Sequence, residues 1–100
     1  MKPLDDRQTG RTTAQMKASG PGAMFVWCND ALTYPKALAR AHGRADLRIE
    51  PSSVLEAGGV RLFGRECQIV LDHALTLNDR TQDGMFAVDH INARFAQRAA

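Results

Sequence analysis

Two runs of consecutive apolar residues contrast with the mixed pattern of the rest of the chain. The first run, AMFVWC at 23–28, follows GPG and precedes ND, and both flanks are typical of turns. The second run, QIVLD at 68–72, ends on a carboxylate. Short continuous apolar runs are typical of strands that are covered on both faces, as in a parallel sheet. We therefore predict two buried strands that lie side by side, with the strand at 23–28 in the centre of the sheet.

Three further segments have helical patterns. The segment at 10–19 permits a short helix that stops at the GPG turn. The segment at 34–43 carries Pro35 in its first turn and Gly43 where a left-handed cap belongs. In the segment at 84–98 the apolar residues recur at intervals of three and four, which predicts one stripe of an amphipathic helix. The members of that stripe are Met85, Val88, Ile91 and Phe95.

The remaining apolar positions predict weaker elements. LRIE at 47–50 alternates apolar and charged residues, which favours a strand near an edge of the sheet. PSSVLEA at 51–57 begins with a capping signal, so it predicts one or two helical turns. VRLF at 60–63, after the break at GG, is interpreted as a minor strand.

Helical and strand patterns alternate along the chain and are separated by short breaks. This order predicts an α/β fold, a small three-layer domain in which a short, mostly parallel sheet is flanked by helices. Residues 1–9 show no apolar periodicity and are interpreted as an N-terminal tail. Residues 10–100 are then expected to form a single domain.

Composition changes this picture little but excludes several classes of protein. Of the 100 residues, 44% are apolar and 24% are charged, which is typical of a globular rather than a disordered chain. No apolar run approaches the ~20 residues that span a bilayer, and the N-terminus has no signal-peptide pattern. We therefore expect a cytoplasmic protein with no membrane contact. A net charge of +2 does not by itself indicate a nucleic-acid partner.

The cysteines and histidines do not have the spacing of a metal site. Cys28 and Cys67 lack a CxxC pattern, and both are assigned to apolar strands, where a free thiol packs as a small hydrophobe. The histidines, at positions 42, 73 and 90, have no ligand spacing with them. We therefore expect no metal and no cofactor.

The first candidate for chemistry is GRTT at 10–13, at the start of a predicted helix. The free amides and the positive dipole end of a helix N-terminus suit phosphate. A full P-loop, GxxxxGK[ST], also has an earlier glycine and a lysine. Here Asp5 occupies the earlier glycine position and Arg11 the lysine position. An ordinary helix start that uses glycine and threonine is the alternative interpretation.

The second candidate is Asp72, at the carboxyl end of a predicted buried strand. Open α/β sheets bind ligands at that end, where an acidic residue can hold a metal or a water molecule. His73 follows directly. Histidine can act as a general base near neutral pH, and it can also serve as a local hydrogen-bonding bridge.

Taken in order, GRTT at 10–13, FVWCNDALTYPKALA at 25–39 and IVLDHA at 69–74 resemble the first half of a RecA-like helicase or terminase core. Short proteins with the GRTT…VLDHA layout resemble ones that phages and prophages carry. The resemblance covers about residues 10 to 75. It implies a P-loop-like fold whose phosphate-site positions are Gly10, Arg11, Thr12 and Asp72. Arginine in place of the lysine, and His73 in place of the glutamate that follows a Walker B aspartate, imply a protein without NTPase activity.

A basic stripe lies on the second predicted helix. Lys36, Arg40 and Arg44 are four residues apart on one face, and Arg48 would extend them. Such a stripe could follow the phosphates of RNA or DNA. A solvated helix face explains the same pattern.

The last candidate is the outward face of the C-terminal helix. Phe86 lies off the predicted stripe, beside Met85, and a terminal helix of so small a domain buries one face. An exposed aromatic residue beside a methionine suits an adaptable contact surface for a second copy of the chain or for another protein. Met85 and Phe86 are therefore the predicted partner interface.

We interpret the chain as a small, non-catalytic phage-type protein that binds a protein partner, with a host factor that it inhibits or modulates as one such partner. A homodimer through the C-terminal helix is a second form of the same expectation. The alternative function is a nucleotide- or nucleic-acid-binding module that uses Gly10–Thr13 and the stripe Lys36/Arg40/Arg44. An enzyme is not favoured, because the sequence shows no set of groups that would form a catalytic site.

Overall fold

A three-stranded parallel sheet lies at the centre of residues 10–99, the part of the chain that the computed structural model describes. Its elements alternate as predicted, and two 3₁₀ helices, Ser52–Leu55 and Ala57–Leu62, lie between the second and third strands. None of the helices within these residues has both the length and the apolar character needed to cross a bilayer. The helices are α1 (Arg11–Ala18), α2 (Thr33–Ala41) and α3 (Gly84–Ala99), and the strands are β1 (Met24–Val26), β2 (Arg48–Glu50) and β3 (Ile69–Leu71).

The predicted central strand is central in the structure. The strand order is β2-β1-β3, and both pairings are parallel. Phe25 lies opposite Ile49 on one side and Val70 on the other. All three residues of β1 are buried, because it has a neighbour on each side and a layer on each face. The predicted pairing of this strand with the strand that ends at Asp72 is confirmed.

Helices cover both faces of the sheet, so the domain has three layers. Successive residues of β1 point to opposite faces. Phe25 packs with residues of α1 and α2, including Met16 and Ala39. Met24 and Val26 pack on the other face with the 3₁₀ helices and α3. The buried residues contributed by those segments are Val54, Leu55, Leu62, Ala87, Val88 and Ile91.

The prediction of a minor strand at 60–63 is wrong, because this segment belongs to the 3₁₀ helix Ala57–Leu62 and the residue after it. Residues i and i+3 of a 3₁₀ helix share a side, and Val60 and Phe63 are both exposed while Leu62 is buried. The alternation of apolar and charged residues in VRLF therefore reflects a 3₁₀ helix and not a strand. Gly59 sets that geometry: it has a φ of 75°, and a β-carbon there would lie 2.8 Å from Cβ of Ala87.

The assignment of both cysteines to strands is also wrong. Cys28 follows β1 and Cys67 precedes β3, so each lies just beyond the paired residues. Neither forms a disulfide bond within residues 10–99, and both are half-buried against the edges of the core. Strand pairing in this domain extends over only three residues per strand, which is shorter than the apolar runs suggested.

Two side-chain amides cover the outer edge of β3. The Ile69 N–H donates to Oδ1 of Asn92 at 2.7 Å, and Nδ2 of Asn92 donates to the Ile69 carbonyl at 2.9 Å. Further along the same edge, Nε2 of Gln15 donates to the Leu71 carbonyl at 2.9 Å, and Oε1 accepts from the His73 N–H at 2.8 Å. Each amide supplies the donor and acceptor that a neighbouring strand would supply, so these backbone groups are satisfied without one.

Candidate functional site

Thr12, in the first turn of α1, contacts Asp72, the residue that directly follows β3. Oγ1 of Thr12 donates a hydrogen bond to Oδ1 of Asp72 at 2.9 Å, although the two residues are 60 positions apart in the chain. Each of the two residues is only 2% exposed. The carboxyl ends of the parallel strands and the N-terminus of α1 therefore meet at this hydrogen bond.

The other two predicted phosphate-site residues lie at the same helix end. Gly10 precedes α1 with a φ of 71°, a left-handed conformation that glycine adopts without strain. It has no side chain with which to cap the amides of the first turn. Arg11 is exposed at the first helical position. The structure thus brings Gly10, Arg11, Thr12 and Asp72 to one end of the sheet.

His73 completes a short hydrogen-bonded chain through Thr12. Nε2 of His73 lies 3.2 Å from Oγ1 of Thr12. The single hydroxyl hydrogen of Thr12 is directed at Asp72, so the contact with His73 is a hydrogen bond in the tautomer whose Nε2 carries a hydrogen. The second oxygen of Asp72 accepts from the Ala74 N–H at 3.2 Å. In this arrangement the Nε2 atom of His73 is a donor, and it does not serve as a base toward Thr12.

Gln15 sets the position of α1 relative to β3. Its two hydrogen bonds to Leu71 and His73 lie on either side of Asp72, one helical turn from Thr12. The backbone on both sides of the carboxylate is therefore held to the helix that carries the hydroxyl. Sequence reasoning missed Gln15, because a glutamine belongs to no phosphate motif. Its only signal is its place three residues after Thr12, on the same face of α1.

The members of the basic stripe have different roles. Lys36 and Arg40 are exposed, and together with Arg44 they line a cavity of about 170 Å³ beside β2. Arg44 is half-buried, and its guanidinium donates to the carbonyl oxygens at the end of α1 and just after it. Arg44 thus satisfies the last carbonyls of that helix, which leaves two exposed cations in the stripe. The acceptors are the carbonyls of Met16, Lys17, Ser19 and Gly20.

Arg44 also forms an ion pair with Asp46, at 3.1 Å between Nε and Oδ1. The Gly22 N–H donates to the other carboxylate oxygen at 2.8 Å. The hydrogen bond from Arg44, followed by the one from Gly22, lowers the pKa of Asp46 to about 2. The same hydrogen bond raises the pKa of Arg44. This group of charges joins α1, the GPG turn and β2, and its role is structural.

The predicted partner surface lies on α3. Val88 and Ile91 are buried, whereas Phe86 is 81% exposed and Met85 is half-buried, which confirms that Phe86 lies off the buried stripe. A groove of about 390 Å³ lies along this side of the helix. It is lined by Leu77, Gln82, Asp83, Met85, Phe86 and Asp89.

A second exposed aromatic residue was not predicted. Phe63 is 66% exposed, and Val60 beside it is also exposed. Sequence reasoning treated both as strand residues with one covered face. The GG break that precedes them was the only sign that the chain there adopts tight turns instead.

Within residues 10–99 no group of three or more histidine, cysteine, aspartate or glutamate side chains converges on one point. The chemistry that the described residues offer is therefore a helix N-terminus with an adjacent buried hydroxyl–carboxylate pair, and an exposed apolar groove. A comparison with protein-family models, with curated proteins and with solved structures finds no match to this chain.

Proposed function

We propose that the chain binds the phosphates of a nucleotide at Gly10, Arg11, Thr12 and Asp72 and does not hydrolyse it. The observation that carries this proposal is the hydrogen bond between Thr12 and Asp72, which sets a hydroxyl and a carboxylate beside the first turn of α1. The amides of that turn and the positive end of the helix dipole favour an anion. Arg11 adds an exposed positive charge at the same position.

The buried carboxylate decides which form of nucleotide fits. Asp72 alone would repel a phosphate, so a bare anion is disfavoured beside it. A hydroxyl oxygen and a carboxylate oxygen 2.9 Å apart are ligands of the type that Mg²⁺ takes, together with phosphate oxygens and water. When bound, Mg²⁺ would neutralise phosphate charge, with Thr12 and Asp72 as the residues that hold it. We therefore expect the Mg²⁺ complex of a nucleotide to bind in preference to the free nucleotide.

The absence of hydrolysis is proposed from the surroundings of His73. The residue after Asp72 is the position at which a water-activating base would stand, and His73 there directs Nε2 at Thr12 over 3.2 Å. In the tautomer in which Nε2 donates to Thr12, that nitrogen is not free to take a proton from water. A sensitive assay of phosphate release from ATP or GTP should therefore detect no turnover.

Thermal unfolding with and without ligand tests the binding step. A ligand at ten times its Kd stabilises the folded state by about 1.4 kcal/mol, which raises the Tm of a domain of this size by about 6–10 °C. We expect such a rise with MgATP, MgGTP or magnesium tripolyphosphate, and a smaller one when EDTA is present.

Two variants on α1 provide the control for that measurement. Arg11→Ala should remove most of the rise, because it deletes the exposed cation beside the first turn. Lys17→Ala deletes an exposed cation at the other end of the same helix and should leave the rise intact. No rise with any of the three ligands, or a rise that Arg11→Ala leaves unchanged, would contradict the proposal.

A second function, binding to a protein partner, is favoured by the exposure of Phe86. We propose that Met85 and Phe86 contact a host protein in the host cytoplasm, in keeping with the phage-like layout of the chain. A side chain of this size that is 81% exposed, beside a groove, gives an apolar contact that the folded domain does not itself use. The phosphate site and this surface involve different residues, so both functions can reside in one chain.

Cross-linking in host cells tests the second function. Phe86→Ser should abolish cross-linked partners while leaving the circular-dichroism spectrum and the Tm close to those of the original chain. Phe63→Ser removes the other exposed phenylalanine and serves as the matched control. If both variants retain the same cross-linked partners, the Phe86 surface is not the contact.

A further inference from the structure

The groove on α3 is lined by both apolar and acidic side chains. Leu77, Met85 and Phe86 supply the apolar part, and Asp83 and Asp89 supply the charge. Neither aspartate forms an ion pair within residues 10–99, and both are exposed. The whole chain has a net charge of +2, so a groove with two unpaired carboxylates is an acidic region of a slightly basic protein.

Close packing of Gly84 against Leu55 positions the helix that lines one side of the groove. Gly84 begins α3 directly against the 3₁₀ helix Ser52–Leu55, where a β-carbon would overlap the carbonyl oxygen of Leu55. This contact fixes the first turn of α3, which carries Met85 and Phe86. A surface whose backbone is already ordered loses little conformational entropy when a partner binds.

The loop on the other side of the groove is also ordered. The Asn78 N–H donates to Oγ1 of Thr81 at 2.8 Å, and Oδ1 of Asn78 accepts from the N–H groups of Arg80 and Thr81. Thr81 is buried within this turn. The loop that carries Leu77 and Asp83 therefore contains a turn with internal hydrogen bonds between Asn78 and Thr81. This turn lies on the other side of the groove from α3.

The charge of the groove favours a cationic partner. The N-terminal end of α3 contributes about half a positive charge, whereas Asp83 and Asp89 contribute two full negative charges. The sum remains negative, so lysine or arginine side chains on a partner would be attracted to the groove. Such complementary charges raise the association rate and select the partner.

The elements that line the groove bear on the shape of the partner. An extended segment binds by adding a strand to an open sheet edge, whereas this groove is lined by residues of α3 and of the loop before it and includes no strand residue. A helix instead binds a groove beside another helix through apolar residues spaced three and four apart.

We propose that this groove binds a cationic amphipathic helix of a partner protein, whose apolar residues contact Phe86 and Met85 while its lysine or arginine side chains face Asp83 and Asp89. This inference rests on the second function proposed above and specifies the chemistry of the partner. Methionine beside phenylalanine suits such a ligand, because a thioether adapts to apolar side chains of different shapes.

Two labelled peptides test the chemistry. One is an amphipathic helix of about 14 residues built from leucine and lysine, four turns long, and the other has glutamate at every lysine position. Fluorescence anisotropy should show the leucine–lysine peptide binding at least about tenfold more tightly, which is about 1.4 kcal/mol. Binding should weaken as salt rises from about 0.05 to 0.5 M, because the charges lie at the surface.

Variants locate the binding. Phe86→Ser should weaken binding of the leucine–lysine peptide by about tenfold or more, which is the usual loss of affinity when a buried anchor residue is removed. The double variant Asp83→Asn with Asp89→Asn keeps the apolar side chains and should weaken binding of the leucine–lysine peptide by about fivefold or more through charge alone. Asp30→Asn removes an exposed aspartate that forms no ion pair within residues 10–99, and it should leave binding unchanged.

Several results would overturn the inference. Equal binding of the two peptides, or an equal effect of Asp30→Asn and the double variant, would remove the cationic selectivity. If the chain is instead a dimer that Phe86→Ser dissociates, and neither peptide binds, the occupant is a second copy. Loss of cross-linked host partners in Phe86→Ser, together with no preference between the peptides, would keep the protein-binding function and reject this partner chemistry.

Discussion

The side-chain amide of Asn92 hydrogen-bonds both the N–H and the carbonyl of Ile69, at 2.7 and 2.9 Å. Asn92 lies on α3 and Ile69 begins β3, so one side chain joins the last helix to the sheet. The pair also closes an edge at which another chain could add a strand.

Replacement of Asn92 by alanine should therefore lower the free energy of unfolding more than a surface substitution does. Asn92→Ala leaves two part-buried backbone groups of Ile69 without partners, which lowers the free energy of unfolding by about 1–3 kcal/mol. Urea denaturation followed by circular dichroism measures this loss. Gln97→Ala changes an exposed amide on the same helix and should cost less than about 0.5 kcal/mol. Equal losses in the two variants would show that the Asn92 hydrogen bonds contribute nothing measurable.

Gly84 should not tolerate a side chain. In an open helix, Gly→Ala stabilises by up to about 1 kcal/mol. At Gly84 the added methyl group overlaps the carbonyl of Leu55, so either α3 or the 3₁₀ helix must move. We expect Gly84→Ala to lower the free energy of unfolding by about 1–3 kcal/mol, as overpacking does. A neutral or stabilised Gly84→Ala variant in urea denaturation would mean that these two segments are less closely packed than the structure shows.

Two substitutions distinguish the contribution of the Thr12 hydroxyl to stability from the contribution of the side chain's packing. Thr12→Val keeps the shape but leaves the buried Asp72 carboxylate without its hydroxyl donor, at a cost of about 1–3 kcal/mol. Thr12→Ser keeps the hydroxyl and loses one methyl group, at a cost of about 0.8 kcal/mol. Chemical denaturation of both variants should rank valine as the more destabilised. The reverse order would show that Thr12 contributes through packing and not through Asp72.

Asp46 should make stability depend on pH in the acid range. Its pKa is about 2 in the folded protein and about 3.9 in an unfolded chain. A lowered pKa means that the unfolded state binds the proton first, so the contribution of Asp46 is complete above about pH 5 and declines as pH falls toward 2. The difference in stability between the original chain and Asp46→Asn should shrink over that interval.

Denaturation curves at several pH values between 7 and 2 measure this difference. Asp30→Asn serves as the control, since Asp30 forms no ion pair within residues 10–99. A gap between the original chain and Asp46→Asn that stays constant down to pH 2 would contradict the assignment of the Arg44–Asp46 hydrogen bond as its cause.

The sheet could be predicted from sequence because its burial has a local signature. A strand covered on both faces must be apolar at every position, and AMFVWC at 23–28 meets that condition. The orientation of α3 could be predicted for a similar reason, since Phe86 lies outside the three-and-four spacing of Val88 and Ile91. Asp72 could be placed at the carboxyl end of the sheet because it directly follows an apolar strand.

The contacts that join distant segments could not be predicted in the same way. Gln15 and Asn92 act through amide groups whose partners lie 56 and 23 residues away, and nothing in the neighbouring sequence marks either residue. Arg44 has the spacing of an exposed stripe, yet its guanidinium closes the end of α1. VRLF at 60–63 alternates like a strand, and only the positive φ of the preceding glycines excludes one.

Gln15 holds α1 to β3 through the backbone of Leu71 and His73, on either side of Asp72. If Thr12 and Asp72 hold the proposed magnesium–nucleotide complex, these two amide hydrogen bonds would keep the helix and the strand in place while it binds. Association would then show the small heat-capacity change of recognition on a preformed scaffold, and not the large one of folding coupled to binding.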